Sequence, residues 1–326
     1  MSNKYKILYN KLALDWQKFR ADSKNKKIRI RDAANILDTN EASLLSTQIN
    51  NDVVFLSIPD ISVFFKQLNA SVRLMFLVRN DSIVHENNIC SEDLVFSHDV
   101  IFDNIDTKQC LIEFDSNKIS YTFYESKIHR DRLLESFQFF DIYGQSILKI
   151  YLKEQNSDLF KKLASNYKME YNYELQKNIF NNKNLKAYVS GIENIRMPFK
   201  FNSNNILKHS IKNDLTKFLL DKFSKNKIEI QIHINGNNVV QYYRGLVSNI
   251  VQFGNWINVL DEKFNLHAIE ENINTIMIYK YNNLEKPDYS IEFFDKNNNH
   301  LMGFAHLIGF NNHFEEIINS LGAFNE

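Results

Sequence analysis

Residues that constrain a backbone are scarce here: two cysteines, three prolines and eight glycines in 326 residues. Cys90 and Cys110 lie in separate segments, which argues against a disulfide framework, though the two could pair in space, and suits a reducing compartment. The glycines (Gly144, Gly191, Gly236, Gly245, Gly254, Gly303, Gly309, Gly322) are nowhere spaced as G-x-G-x-x-G or as a Walker A loop, which excludes dinucleotide and P-loop sites of those types. Lysine plus arginine and aspartate plus glutamate both number 39, so the chain lacks the electrostatic footprint of a protein that grips nucleic-acid phosphates. No run approaches the roughly 18 apolar residues of a membrane span. The opening MSNKYKILYNKLALDWQKFR has scattered lysines and no apolar core, so it does not read as a signal peptide. A cytoplasmic globular protein is expected.

What the chain does have is a repeat. Ser136-Phe137-Gln138-Phe139-Phe140-Asp141 returns as Ser290-Ile291-Glu292-Phe293-Phe294-Asp295, displaced by 154 positions. At the same displacement Ile147-Leu148 meets Leu301-Met302, and Phe160 and Leu163 meet Phe314 and Ile317. Leu74, Phe76 and Val78 fall on Ile228, Ile230 and Ile232. One register held over four segments indicates two tandem copies of one fold, 1–168 and 169–326. Two packed copies would create a cleft, a favoured place for ligands.

Hydrophobic spacing predicts a helix over 4–22, short helices over Arg29–Leu37 and Glu41–Thr47, and a strand over Val53–Ser57. A helix entered through Pro59 is expected over Ile58–Leu68. Alternating runs at Val72–Val78, Leu94–Phe102, Cys110–Phe114, Ile119–Tyr124 and Phe137–Phe139 read as antiparallel strands, and Asn156–Tyr167 as a helix. The second half repeats this with a helix over Ile211–Phe223, strands between Ile228 and His306, and a helix over Asn311–Leu321. Helices, then strands, then a helix, twice over, is an α+β pattern.

Several segments carry possible chemistry. Arg29–Leu37 followed by Thr39–Leu45 has the shape of a helix-turn-helix, against which stands a plain packed helix pair. In Val78-Arg79-Asn80-Asp81-Ser82-Ile83-Val84-His85-Glu86, Arg79 and His85 could hold an anion or a metal. The plainer reading is a hairpin turning at Asn80-Asp81, with Arg79 and Glu86 in solvent. His300, His306 and His313 are spaced too widely for one helix face and lack a nearby carboxylate pattern, which argues against zinc. No catalytic triad can be picked out.

Taken in order, four segments resemble a known family. RIRDAANILDTNEASLL is similar to the R-x-R-D-A-A-x-x-L opening of the bacterial hemin-degrading factor family, the HemS/HmuS-type heme-utilisation proteins. LVRNDSIVHE resembles its R-N-E-x-x-V-H-E segment, and SFQFFDIYGQSILKIYLKE its S-L-Q-F-F-D-x-x-G stretch. VVQYYRGLVSNIVQFGNWINVLDEKFNLHA is similar to the family's glycine-containing stretch and the W-[IL]-N motif after it. The resemblance implies two stacked antiparallel sheets flanked by helix pairs, with heme bound between the halves. It implies imported heme accepted for oxygenase-like degradation and iron release or for transfer, with an inner-membrane heme importer, a reductase or a heme acceptor as partners. The alternative is a non-enzymatic carrier, or a degenerate scaffold with another ligand.

Carried over residue by residue, the resemblance puts His85 on the histidine of the N-terminal motif and Arg79 beside it. It puts Lys108 where an arginine faces the heme propionates, and Tyr243 at an aromatic position near heme. The family's main axial histidine, in a V-H-x-F-F stretch opening the second unit, has no counterpart: no histidine lies between His129 and His209, and Leu175–Lys186 reads LQKNIFNNKNLK. Either another residue ligates iron, with His209 and then His85 first in line and Tyr188 behind them, or heme binding is weakened or lost.

Overall fold

The computed structural model describes residues 3–103, 109–129, 131–154, 158–170, 178–179, 206–210, 215–282, 287–306 and 313–321. Strands of the first half are β1 (Val53–Leu56), β2 (Arg73–Arg79), β3 (Ile83–Cys90), β4 (Leu94–Ser97), β5 (Val100–Asp103), β6 (Cys110–Phe114), β7 (Tyr121–His129), β8 (Arg132–Phe140) and β9 (Ser146–Leu152). Those of the second half are β10 (Ile206–Ser210), β11 (Ile230–Gly236), β12 (Val239–Gly245), β13 (Ile250–Phe253), β14 (Trp256–Leu260), β15 (Phe264–Ile269), β16 (Thr275–Asn282), β17 (Pro287–Phe294) and β18 (His300–His306). Helices are α1 (Asn3–Ala21), α2 (Ile30–Ile36), α3 (Glu41–Ser46), α4 (Ile61–Lys66), α5 (Leu159–Tyr167), α6 (Leu215–Lys225) and α7 (His313–Ser320). The fold is α+β, with two large antiparallel sheets of nine strands each among the described residues. No helix among those residues is long and apolar enough to cross a membrane.

By its contacts the chain divides into two compact units that are not consecutive in sequence. Unit 1 holds 1–75, 90–99 and 115–189, and unit 2 holds 76–89, 100–114 and 190–326.

In unit 1 the strands run in the order β1-β7-β8-β9. Period-two alternation aims Phe123, Phe137 and Phe139 inward, all fully buried. Phe64 of α4 meets Phe137 edge-on at 4.9 Å, and Phe160 of α5 meets Phe137 at 4.5 Å. Leu12 and Trp16, one turn apart on α1, pack on Ala33, Ala34 and Leu44. Every residue of α3 is buried. A recognition helix must present side chains to a groove, and α3 has no face left to do so.

Asn40 caps α3, its Oδ1 accepting from the Ser43 N–H at 2.7 Å. Gly144, in the β8–β9 turn, lies against it with φ +72°, and a Cβ there would sit 2.2 Å from Asn40 Oδ1. Gly144→Ala should cost about 1–2 kcal/mol for the left-handed backbone and about another 1 kcal/mol for displacing the cap. Urea denaturation of Gly144→Ala, Asn40→Ala and the double variant checks this. The two losses should be less than additive, and full additivity would show that the cap is not involved.

In unit 2 one sheet runs β10-β16-β17-β18-β11-β12-β6-β5, and the other carries β3-β15-β14-β13. First-half strands are built into it: β6 pairs with β12 (Glu113 opposite Val240) and β3 with β15 (His85 opposite Leu266). Phe223 of α6 stacks on Phe314 of α7 at 5.3 Å, and Phe304 meets Phe293 at 4.9 Å.

The turns repeat as well as the strands. Asp141 accepts from the backbone of Tyr143 and Gln145, and Asp295, displaced by 154, accepts from Asn297 and Asn299. Where the first turn has Gly144 the second has Asn298 at φ +62°, one of the few side chains that tolerates that backbone.

Two expectations need correction. The helix after Pro59 begins at Ile61, because Asp60 caps it by accepting from the Ser62 and Val63 N–H groups. The single strand expected over Leu94–Phe102 is two, broken where His98 takes φ +49°. Of the helix expected over Ile211–Phe223, residues 211–214 lie outside the described residues and the remainder is helical from Leu215, while His209 stands in β10 opposite Ile276.

Candidate functional site

Unit 2 brings together two of the residues singled out by sequence. His85, on the second arm of the β2–β3 hairpin, has no exposed surface, and its ring meets Phe264 edge-on at 4.8 Å. The other face of that neighbourhood is Tyr243, stacked on Phe264 at 4.0 Å with the rings 7° from parallel. Tyr243 Oη donates to the Leu246 carbonyl at 2.8 Å. Burial, helped by Asp261 and Glu229, pushes its hydroxyl up to about 12. Gly245 takes φ +153°, a backbone that residues with side chains rarely adopt, and its lack of a Cβ leaves room for the tyrosine, since a Cβ there would lie 2.7 Å from Tyr243 Oη.

Burial holds His85 neutral, pulling its pKa down to about 3, and nearby His233 adds to this. Gln241 and the Ile232 backbone act against the shift. Neither ring nitrogen completes a well-formed hydrogen bond among the described residues. A neutral imidazole suits a ligand role in type, but at zero exposure it cannot meet a planar macrocycle without movement of its strand neighbours. Arg79 is half-buried at the end of β2, and the Asn80 N–H closes the hairpin on the Ile83 carbonyl at 3.0 Å. His209 is described in its backbone alone, and Lys108 and Tyr188 lie outside the described residues.

A second group was not legible beforehand. Glu292 of β17 and His233 of β11 both face Gly303 of β18, one residue in each of three adjacent strands in register. Glycine leaves the space between them open. Glu292 Oε2 lies 3.1 Å from His233 Nε2 and 2.7 Å from His300 Nε2. The carboxylate and the His233 side chain are wholly buried and the His300 side chain is 1 % exposed. The reading that His300 lacks a carboxylate is therefore wrong: Glu292 comes from the neighbouring strand. Burial alone would raise the Glu292 pKa, but His233 and the hydrogen bonds from both rings hold it well below the usual carboxylate range. Burial lowers the pKa of His300, with Glu292 opposing. Glycine inside a strand marks a close approach, and Gly303 was the one available signal.

A duplicated α+β chain of this kind, with nine-stranded antiparallel sheets, has known counterparts. It is similar to the Escherichia coli O157:H7 heme-degrading enzyme ChuS, with TM-score 0.78 and 18 % identity over 96 % of this chain and 99 % of that one. It is also similar to holo-PhuS, a heme-binding protein from Pseudomonas aeruginosa, with TM-score 0.72 and 17 % identity over 92 % of this chain and 93 % of that one. Among curated sequences, the hemin transport protein HemS of Yersinia enterocolitica is 24 % identical over 271 residues, 74 % of this chain and 77 % of that protein. The chain belongs to the family of the haemin-degrading HemS.ChuX domain, whose model matches residues 38–167 and 205–307.

Proposed function

We propose that the chain is a cytoplasmic heme-handling protein of iron acquisition, which accepts imported heme for degradation and iron release or for transfer. The observation that carries this reading is the match of the haemin-degrading domain to both repeats. When bound, heme would supply the iron and the oxygen chemistry, and the chain would supply ligation, orientation and exclusion of water. His209 is the axial ligand proposed first, with His85 second, since the latter must first be uncovered. Arg79 and Lys108 would face the propionates, and Tyr243 with Phe264 would offer an aromatic surface. An inner-membrane importer, a reductase and a heme acceptor are the partners this role needs.

Titration of hemin into the full-length protein should give a saturable Soret shift at one equivalent. His209→Ala should move the ferric Soret band and weaken binding, because the iron–nitrogen bond is lost. Lys108→Ala should weaken binding with the spectrum unchanged. Wild-type protein without a saturable shift would overturn the reading, and unchanged spectra in both His209→Ala and His85→Ala would reject these two ligands. A second reading, a carrier without chemistry, is favoured by the absence of histidine between His129 and His209. Reductant and oxygen added to the complex in the presence of catalase separate the two. Soret loss with iron release marks an enzyme, and intact heme passed to an acceptor marks a carrier.

A further inference from the structure

We propose that His233, Glu292 and His300 bind one first-row divalent cation of the zinc type inside unit 2, at a site independent of heme. Two imidazole nitrogens and a carboxylate oxygen, all within 4.8 Å of one another, are a complete three-ligand set. This nitrogen-rich set suits zinc or cobalt better than magnesium or calcium, which prefer all-oxygen sites. Zinc at bond lengths of about 2.1 Å separates neighbouring ligand atoms by about 3.4 Å in a tetrahedron. The carboxylate–imidazole separations of 3.1 and 2.7 Å lie just below that, and the whole set falls within 4.8 Å, so binding needs the carboxylate to part slightly from the rings and the two imidazole nitrogens to stand at the same spacing from each other.

Charge gives the second argument. Glu292 has no exposed surface and pairs with no lysine or arginine among the described residues. Its Oε1, and Nδ1 of both imidazoles, complete no hydrogen bond there. A carboxylate taken out of water needs a compensating cation. A divalent ion on Oε2 and the two Nε2 atoms supplies that charge directly.

The repeat gives the third. In the first copy the positions of His233, Glu292, His300 and Gly303 are Arg79, Gln138, Ser146 and Lys149. The donor set is therefore not part of the scaffold common to both copies. It is accompanied by the loss of the side chain that would fill it: a Cβ on Gly303 would lie 2.1 Å from Glu292 Oε2 and 2.3 Å from His233 Cε1.

The test uses full-length protein refolded with Co(II), then with Cd(II) enriched in cadmium-113, so that burial does not bar entry. One equivalent of Co(II) should be retained through desalting, show visible d–d absorption of a low-coordinate site, and be displaced by Zn(II). Cadmium NMR should report mixed nitrogen and oxygen donors. Glu292→Gln and His300→Gln should each lose the retained equivalent, and Gly303→Ala should lose it through steric closure. A folded wild-type protein that retains no metal, or His300→Gln retaining it with an unchanged spectrum, overturns the site. Should the variants not fold, a wild-type cadmium shift of sulfur or all-oxygen type overturns it equally.

Discussion

Lys149→Ala is expected to lose about 3–5 kcal/mol of stability, one of the two largest effects expected for this chain. Lys149 of β9 forms an ion pair with Glu41 of α3, and the two side chains are 6 % and 3 % exposed. Removing the ammonium leaves a carboxylate that water reaches poorly, beneath a helix that is buried throughout. Replacing both partners with apolar residues, Glu41→Leu with Lys149→Met, should recover most of the loss, because no charge then remains to be desolvated. Equilibrium urea denaturation checks both. A loss below about 1 kcal/mol in the single variant would mean that the pair behaves like an exposed one.

The second large effect is with pH. The His85 pKa falls from 6.5 to about 3 on folding, so between those values the unfolded chain binds a proton that the folded chain refuses. Stability therefore falls as pH drops through this window, by about 1.4 kcal/mol per pH unit, or about 2 kcal/mol between pH 6.5 and pH 5. His300, also lowered, contributes with the same sign below its ordinary value of 6.5. Glu292 is depressed, so its stabilisation is complete above its ordinary 4.5 and is lost only below that. Urea midpoints for wild type and His85→Leu at pH 7.5, 6 and 5 check this. The variant should show the shallower slope, and equal slopes would remove His85 as the cause.

The architecture was legible because it is written in periodicity. The 154-residue displacement survives in paired turns such as Asp141–Gln145 and Asp295–Asn299, and α2 and α3 fall within a residue of their expected bounds. Strands were under-read where charge interrupts alternation. β7 and β8 extend through Glu125–His129 and Arg132–Glu135, because Glu125, although buried, is satisfied by Gln138 Nε2 at 2.9 Å and by Lys127. Sites fared worse. His233 and Glu292 lie 59 residues apart and are joined only by strand register around Gly303, which no local spacing encodes. For heme, Lys108 and Tyr188 fall outside the described residues and His209 is described in its backbone alone.

The incorporation of β3, β5 and β6 into unit 2 bears on how the molecule can be dissected. As a boundary between the two copies, 168/169 stands as our proposal, yet a fragment cut there could not be a whole second unit. It would leave β12 without β6 and β15 without β3, exposing two unpaired backbone edges. Such edges recruit whatever strand is at hand, so the fragment should aggregate or associate by exchanging strands. It would also strip His85 from Phe264, taking one ligand candidate away from its aromatic neighbour. Failure of half-molecules to bind heme would then report a broken sheet and say nothing about which half carries the site, so assignment calls for point substitutions in the intact chain.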